Sequence, residues 1–355
     1  MTRLARIGID TSKSVFQLHG VDEKERVVLR KQLRRRQFVA FFAELDRTVV
    51  GLEACGASHH WGRELGKLGH QVMLIPPQHV KPYVGRNKND KIDAAAICEA
   101  MSRPKVVERL VPIKSAEQSA AQMLLGVRDS LIKRRTQLSN TIRSHAAEFG
   151  LVAAKGLDKI EPLLVRIAQD DSLPALAKEM FAALGQEFDA IKRQSAAIDK
   201  KMLAFHRANE VTRRLAEVPT IGPVGACLFV TKIVNPHGFR SARRCAGWIG
   251  LTPKDQSTGG KQKFGGITRA GDESLRAALV CGATAYLRHV RSGRTTPSPW
   301  LAGLLSRKPP KLVAVALANK TARIAWKLMT SGQRYDPRRP GARPNIAADA
   351  IGIAA

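Results

Sequence analysis

Short alternating runs of apolar and polar residues mark the N-terminal part of the chain. Residues 4–10 (LARIGID) read as a buried strand that ends in an acid. Residues 16–20 (FQLHG) and 26–30 (RVVLR) follow at hairpin spacing, which predicts three antiparallel strands. The period then lengthens: residues 37–45 (QFVAFFAEL) and 58–68 predict amphipathic helices. Between and after them, residues 48–53 (TVVGLE) and 71–75 (QVMLI) predict two more strands, the first again ending in an acid. Beyond the turn-forming pair Pro76 and Pro77, residues 86–101 (RNKNDKIDAAAICEAM) read as an Ala-rich helix. Three strands, helix, strand, helix, strand, helix is the order of a single mixed sheet with helices on it.

The middle of the chain changes character. Leu124, Val127, Leu131, Leu138, Ile142 and Phe149 recur at helical spacing within residues 116–149. Pro174 opens a second long helix carrying Leu176, Met180, Leu184, Phe188, Ile191, Ile198, Met202 and Phe205. Steps of three, four and seven residues predict two antiparallel arms packed as a coiled coil, with a shorter helix and turns over residues 150–173. In the last third, residues 239–252 predict a small basic helix, and residues 272–286 and 311–329 predict packed Ala-rich helices, with Cys281 in the core. Residues 331–355, rich in Pro, Arg and Ala, are expected to be a disordered tail.

Composition narrows the function. The 355 residues hold 59 Lys plus Arg against 30 Asp plus Glu, a formal charge of +29, which points to a polyanionic partner and first of all nucleic acid. The cations are spread over the whole chain, unlike those of a membrane-surface anchor. No apolar run reaches membrane-spanning length, and no signal peptide opens the chain. Aromatics are 5 %, too few for base stacking to dominate affinity. The five scattered cysteines lack zinc spacing and fit a reduced cytoplasm.

Against this basic background a few acids stand out. Asp90 and Asp93, three residues apart, share one face of their helix. Asp10 and Glu53 end two strands separated by a helix. Each acid alone has an ordinary reading as a helix cap or turn residue. Together, converging at one sheet edge, they would repel unless cations lay between them, which makes a two-metal phosphoryl-transfer site the natural joint reading. The small polar stretches after Asp10 (TSK) and Glu53 (ACGAS) would let a phosphate approach.

In the C-terminal third, residues 219–226 (PTIGPVGA) resemble half of a helix-hairpin-helix, although an ordinary turn reads equally well. The most polar segment is KDQSTGGKQKFGGITRAGDESLR, in which glycines permit close backbone approach and Lys261, Lys263 and Arg269 favour phosphate. A Walker loop is excluded, because Asp255 stands where its first Gly belongs and Gln262 follows the Gly-Lys pair.

The strings GIDTSK, GLEACGASHHW, LGHQVMLIPPQHVKPY and KNDKIDAAAI, in that order and spacing, resemble the DEDD transposases of the insertion sequence 110 family, with the insertion sequence 1111 subgroup nearest. WIGLTPKDQSTGGKQKFGGITRAGDESLR is similar to the transposase domain of the same family. The resemblance implies an α/β plus α architecture. Residues 1–110 would be a RuvC-like domain of ribonuclease H fold, 111–210 a helical coiled-coil linker, and 211–330 a mostly helical transposase domain.

It further implies that Asp10, Glu53, Asp90 and Asp93 are a tetrad binding Mg2+, and that Ser257 is a nucleophile forming a phosphoserine link to DNA. Thr258, where relatives carry a second serine, is the lesser candidate. Implied partners are donor and target DNA, a structured bridge RNA from the element itself, and further copies of the chain as a dimer or tetramer, in the cytoplasm at the nucleoid. Two other functions remain open on the residues themselves: a metal-only junction nuclease without a covalent intermediate, and a non-catalytic nucleic-acid-binding protein.

Overall fold

The computed structural model describes residues 4–85 and 90–337, apart from the side chains of residues 90 and 91. The chain divides into two compact units, Met1–Gln118 and Ser119–Ala355.

The first unit is built on one five-stranded sheet. β1 (Leu4–Thr11), β2 (Val15–Asp22) and β3 (Val27–Arg34) form an antiparallel meander, and β4 (Val49–Glu53) and β5 (Gln71–Ile75) continue it in parallel, in the order β3-β2-β1-β4-β5. Parallel neighbours need helical crossovers. α1 (Arg35–Ala43) carries the chain from β3 to β4, and α2 (Ser58–Lys67) from β4 to β5.

Strand alternation sends Ile7, Ile9, Phe16, Leu18 and Leu33 to one face, where Phe38 and Phe42 of α1 and Trp61 and Leu65 of α2 bury them. Burial of each such side chain is worth about 1.5–3 kcal/mol. The opposite face receives α4 (Asp90–Met101), which packs on β1, β2 and β4. Pro76 and Pro77 start the short α3 (Pro77–Val80) before it, with Pro77 in the first turn, where its missing N–H costs nothing. α5 (Pro104–Val107) closes a smaller core with Met73, Ile75, Ile97 and Met101. This is the mixed sheet of the ribonuclease H type expected from the sequence, followed by a long, mostly helical region.

In the second unit α6 (Ala116–Glu148), which starts just before the boundary, and α8 (Ala175–Ala208) are the two long arms. Arg128 pairs with Asp199 and Arg134 with Glu187, a descending match that makes the arms antiparallel. Leu131, Leu138 and Ile142 meet Phe181, Phe188 and Ile191 between them, and α7 (Ile160–Gln169) adds Ile160, Leu163 and Ile167. Val127, Phe149, Leu176 and Met180, expected in the stripe, are exposed.

α9 (Glu210–Leu215), α10 (Pro223–Lys232), α11 (Ala242–Ile249), α12 (Glu273–Arg291), α13 (Pro299–Leu305) and α14 (Pro310–Ser331) surround a second core that includes Phe229, Ile249, Leu279 and Val313. Ala318, Ala322 and Ala325, fully buried, let α14 run close to its neighbours. Cys281 is not in this core. Leu275, Leu279, Ala283 and Leu287 form the buried stripe of α12, and position 281 falls on the other side, exposed. The stretch expected to lack structure from Ser331 is held at its start. Ser331 ends α14, Arg214 donates to the Gly332 carbonyl at 2.7 Å, and Glu217 accepts from Arg334 and from the Tyr335 amide. Residues 338–355 lie outside the described residues.

Candidate active site

Register decides where the N-terminal acids lie. Ile7 pairs with Val50, Gly8 with Gly51 and Ile9 with Leu52 across the parallel β1–β4 ladder. The ladder ends at that pair; continued by one step, the same register would set Asp10 beside Glu53, on the face of Gly8 and Gly51. Thr11 Oγ1 lies 3.7 Å from Cys55 Sγ just past them, so the two strand ends stay together.

The face is the one under α4. A Cβ on Gly8 would stand 2.4 Å from the Ala94 carbonyl oxygen and from the Cys98 nitrogen, and one on Gly51 2.4 Å from Met101 Sδ. Side chains two residues apart on a strand share a face, so Asp10 and Glu53 point to the side where Gly8 and Gly51 meet the helix. α4 runs against β1: the Cys98 carbonyl accepts from Arg6 Nε at 3.0 Å, while Gly8 meets the turn between Ala94 and Cys98. Moving on to Asp10 therefore moves toward the first turn of α4. Ile97 and Met101 meet Gly51 of β4, and Ala94 and Cys98 meet Gly8 of β1; Asp93 precedes Ile97 by one turn on the same stripe.

Asp93 is half-buried, as are Asp10 and Glu53. Asp90 opens the helix, and its side chain lies outside the described residues. Among the described residues no group of three or more His, Cys, Asp or Glu is disposed to hold a metal ion. The donor set that the tetrad would offer, all carboxylate oxygens, is of the hard type that suits Mg2+.

The serine segment is an ordered hairpin. β6 (Pro253–Asp255) pairs antiparallel with β7 (Phe264–Ile267), and the Gln256 amide donates to the Lys263 carbonyl at 2.8 Å. Thr258 and Lys261 exchange both backbone hydrogen bonds around Gly259 and Gly260, whose φ values are +54° and +76°. Positive φ at both central positions defines a type I′ turn, which glycine adopts without strain. Ser257 Oγ donates to Asp255 Oδ1 at 2.5 Å and accepts from the Lys263 amide at 3.1 Å, and the Ser257 amide also donates to Asp255 Oδ1, at 2.9 Å. The Ser257 hydroxyl, and then its amide, hold the Asp255 carboxyl below the usual carboxylate range.

Asp255 is the residue that sequence reasoning missed. The signal was there, since an Asp side chain characteristically bonds backbone two residues on.

Ser257, Thr258, Lys261, Lys263 and Arg269 are all exposed and belong to the second unit, whereas the acids belong to the first. Arg269 has φ +56°, a left-handed conformation that costs a non-glycine residue roughly 1 kcal/mol or more. It is held there because the Arg269 amide donates to the Gly250 carbonyl and Thr268 to Thr252. Gly271 tolerates no side chain, since its Cβ would fall 1.7 Å from the Trp248 carbonyl. These contacts pin the base of the hairpin to the end of α11. Asp272 then caps α12 through the Leu275 amide and pairs with Lys232 at 2.9 Å. Residues 219–226 span the end of the α9–α10 connection and the first turn of α10, with Gly222 as N-cap and Pro223 in that turn. Thr220 of that turn is buried and hydrogen-bonded to Thr321 at 2.6 Å.

Comparison with known proteins bears on both units. A DEDD transposase model of the IS110 group matches residues 7–150, and the model described as "Transposase IS116/IS110/IS902 family" matches residues 212–296. The chain is 59 % identical over 334 residues to a putative transposase, y4pF/y4sB, of Sinorhizobium fredii, covering 94 % of this chain and 86 % of that one. It is 44 % identical to a probable family 20 transposase of Pseudomonas aeruginosa, covering 94 % and 99 %. It is 38 % identical to the transposase for insertion sequence element IS1111A of Coxiella burnetii, covering 93 % and 90 %. No helix among the described residues is long and apolar enough to cross a membrane.

Proposed function

The chain belongs to the IS110 family of DEDD transposases, enzymes that act on DNA, and from that premise we propose that Ser257 is its nucleophile and the acids of the first unit its metal-binding half. The observation that carries the nucleophile is the state of the Ser257 hydroxyl. A hydroxyl has one proton and two lone pairs. Here the proton is committed to Asp255 and one lone pair to the Lys263 amide, which leaves a single lone pair with a fixed direction. Orientation of this kind removes much of the entropic cost of attack.

In the proposed step Ser257 Oγ forms a bond to the scissile phosphorus as the bond from phosphorus to a deoxyribose oxygen breaks. Its proton passes along the existing hydrogen bond to Asp255, and the departing oxygen takes a proton from solvent. Rejoining reverses the step on a new strand. Lys261, Lys263 and Arg269 offset the charge of the phosphate. Asp10, Glu53, Asp90 and Asp93 would hold Mg2+, whose chemistry when bound is to neutralise and polarise the scissile phosphate.

A structured RNA of the element is the proposed guide, and the formal charge of +29 suits a partner of that kind. Homo-oligomer assembly through the arms, as dimer or tetramer, is supported by the exposed Val127, Leu176 and Met180 on them. A place in the cytoplasm, at the nucleoid, follows from the DNA substrate.

The test is covalent trapping on DNA carrying the element's junction, with Mg2+ and the element's RNA. A protein–DNA adduct lost in both Ser257→Ala and Asp10→Ala is the expected result. An adduct that survives Ser257→Ala moves the nucleophile, with Thr258 first in line. Cleavage without any adduct refutes the serine mechanism and favours a metal-only nuclease.

A further inference from the structure

The face of the first sheet that α4 covers is only partly covered. Beyond β1 the same register continues outward: Asp10 pairs with Gln17, and Gln17 with Gln32; Gly8 pairs with His19, and His19 with Arg30. Glu53, Asp10, Gln17 and Gln32 thus form one row across four strands, at about 4.8 Å per step. On the reverse face the corresponding part of β2 carries Phe16 and Leu18, fully buried. On this face the row is polar from the carboxylates to the sheet edge: Gln17 is buried, its amide donating to the Lys31 carbonyl at 3.3 Å, and Gln32 is exposed at the edge.

The open part of the face is a groove of about 1390 Å3 between the β2–β3 surface and α4, lined by Gln17, His19, Arg30, Gln32, Tyr83 and Arg103 among others. Small-molecule pockets run to roughly 1,000 Å3 and enclose their ligand; this one is larger and open. Its two acids are neutralised within it, Glu25 by Arg6 and Glu99 by Arg103. Arg30 is exposed on the edge strand and supplies the groove with positive charge. His19 is held below its usual pKa by burial and then by Arg30 and Arg6, consistent with a positive field. Tyr83, with the Arg103 guanidinium 5.7 Å from its ring centre, offers a flat surface on which a base can stack.

We propose that this groove seats the DNA strand that leads to the scissile phosphate, with the exposed Gln32 and Arg30 along its backbone and Tyr83 under a base. The inference rests on the assignment of Asp10 and Glu53 to the reacting end. Nothing in the row reads a base pair, so the groove positions a strand without selecting its sequence.

The experiment compares two neighbouring cations on one strand. Arg30 faces the groove; Lys31 faces the other side, 4.7 Å from the Phe41 ring centre. Arg30→Gln and Lys31→Gln remove the same charge. Binding of a fluorescent single-stranded DNA to the full-length protein is measured by anisotropy over a range of salt. Gln32→Cys and Lys31→Cys, each in a Cys55→Ser, Cys281→Ser background, are tested for capture by thiol–disulfide exchange with the same DNA carrying a tethered mixed disulfide, whose small thiol is released. Arg30→Gln should lower the slope of log K against log salt by about 0.7, the value of one phosphate contact on a single strand, and Lys31→Gln should leave it unchanged. Capture should occur at position 32 and not at 31.

Equal slopes for the two charge variants, or capture at position 31 alone, overturn the groove. Capture of the RNA of the same sequence in preference to DNA overturns the identity of its occupant. Asp10→Ala separates the underlying assignment: an adduct that persists in it sinks the carboxylate site, whereas the contrast between positions 30 and 31 judges the groove independently.

Discussion

Replacing Gly8 by alanine puts a Cβ 2.4 Å from the Ala94 carbonyl oxygen, 2.4 Å from the Cys98 nitrogen and 2.8 Å from the Cys98 Cβ. Two of those three atoms are helix backbone and cannot swing aside, so α4 must retreat by about 1 Å to restore ordinary contact. Overpacking of this kind costs about 1–3 kcal/mol of stability. The consequence for chemistry should be larger, because Asp93 rides on α4 while Asp10 and Glu53 stay on the sheet. A misplacement of about 1 Å at a reacting centre can cost on the order of 100-fold in rate. The rate of adduct formation on junction DNA, with urea unfolding alongside, reads both effects. Gly51→Ala is the comparison: its Cβ meets the Met101 side chain at 2.4 and 2.7 Å, a flexible group able to turn away, so its rate loss should stay below about tenfold. Gly8→Ala with unchanged stability and rate would refute the seating of α4 on β1 at this point. Lost stability with an undiminished rate would mean that the acids do not depend on that seat.

Asp255→Ala should lower adduct formation by about 10–100-fold, since it removes both the orienting partner of the Ser257 hydroxyl and its proposed proton acceptor; a wild-type rate would remove Asp255 from the step. The Asp255 carboxyl is depressed by the Ser257 donors, so the hydrogen bond is in place above the ordinary carboxylate range and is lost as pH falls through the lowered pKa. Ser257→Ala should therefore raise the Asp255 pKa in a carboxyl-carbon NMR titration, and an unmoved value would contradict the pairing. Alkylation of the native protein should label Cys55 and Cys281 and spare Cys98, Cys227 and Cys245; burial pushes Cys227 up to about 11 and Cys245 up to about 12, and mass spectrometry showing early labelling of either would contradict the core packing. Thr321→Val removes the partner of the buried Thr220 hydroxyl and should cost about 1–3 kcal/mol by denaturant unfolding, against no change if water reaches the pair.

β1 and β2 were legible by alternation, and β4 and β5, covered on both faces, as short continuous apolar runs. Ile7 with Ile9 and Phe16 with Leu18 alternate with residues of the other face, and the period of two is visible in the letters. The hairpin that carries Ser257 was not legible by the same means. Every residue of β6 and all but one of β7 is exposed, so no alternation marks them as strands, and the segment reads as a polar loop. Its order comes from backbone pairing and from Gly259 and Gly260 at the turn, a two-residue signal easily lost in a glycine-rich stretch. The arms lie between these cases. Their helical period was plain, yet Leu176 and Met180 show that apolar spacing alone does not say which positions another element covers.

The acids pose the sharper problem, because the convergence proposed for them depends on residues that carry no chemistry. Asp10 and Glu53 reach the first turn of α4 only if that helix lies almost against the sheet, and a side chain at position 8 or 51 would hold it off. Gly8 precedes Asp10 by two residues, and Gly51 precedes Glu53 by two, so each glycine shares a face with its acid. On the helix, Ala94, Ala96 and Ala100 are buried and small in the same way. Within its own segment each of these residues reads as a weak strand or an ordinary helix position. Their meaning lies in the match between two segments far apart in the chain: Gly8 against the α4 backbone at Ala94 and Cys98, Gly51 against Ile97 and Met101, and an acid two residues on from each strand glycine. That match sets how closely α4, and Asp93 with it, approaches the ends of β1 and β4, which is why the glycines, rather than the acids, are the positions where a single methyl group should separate fold from function.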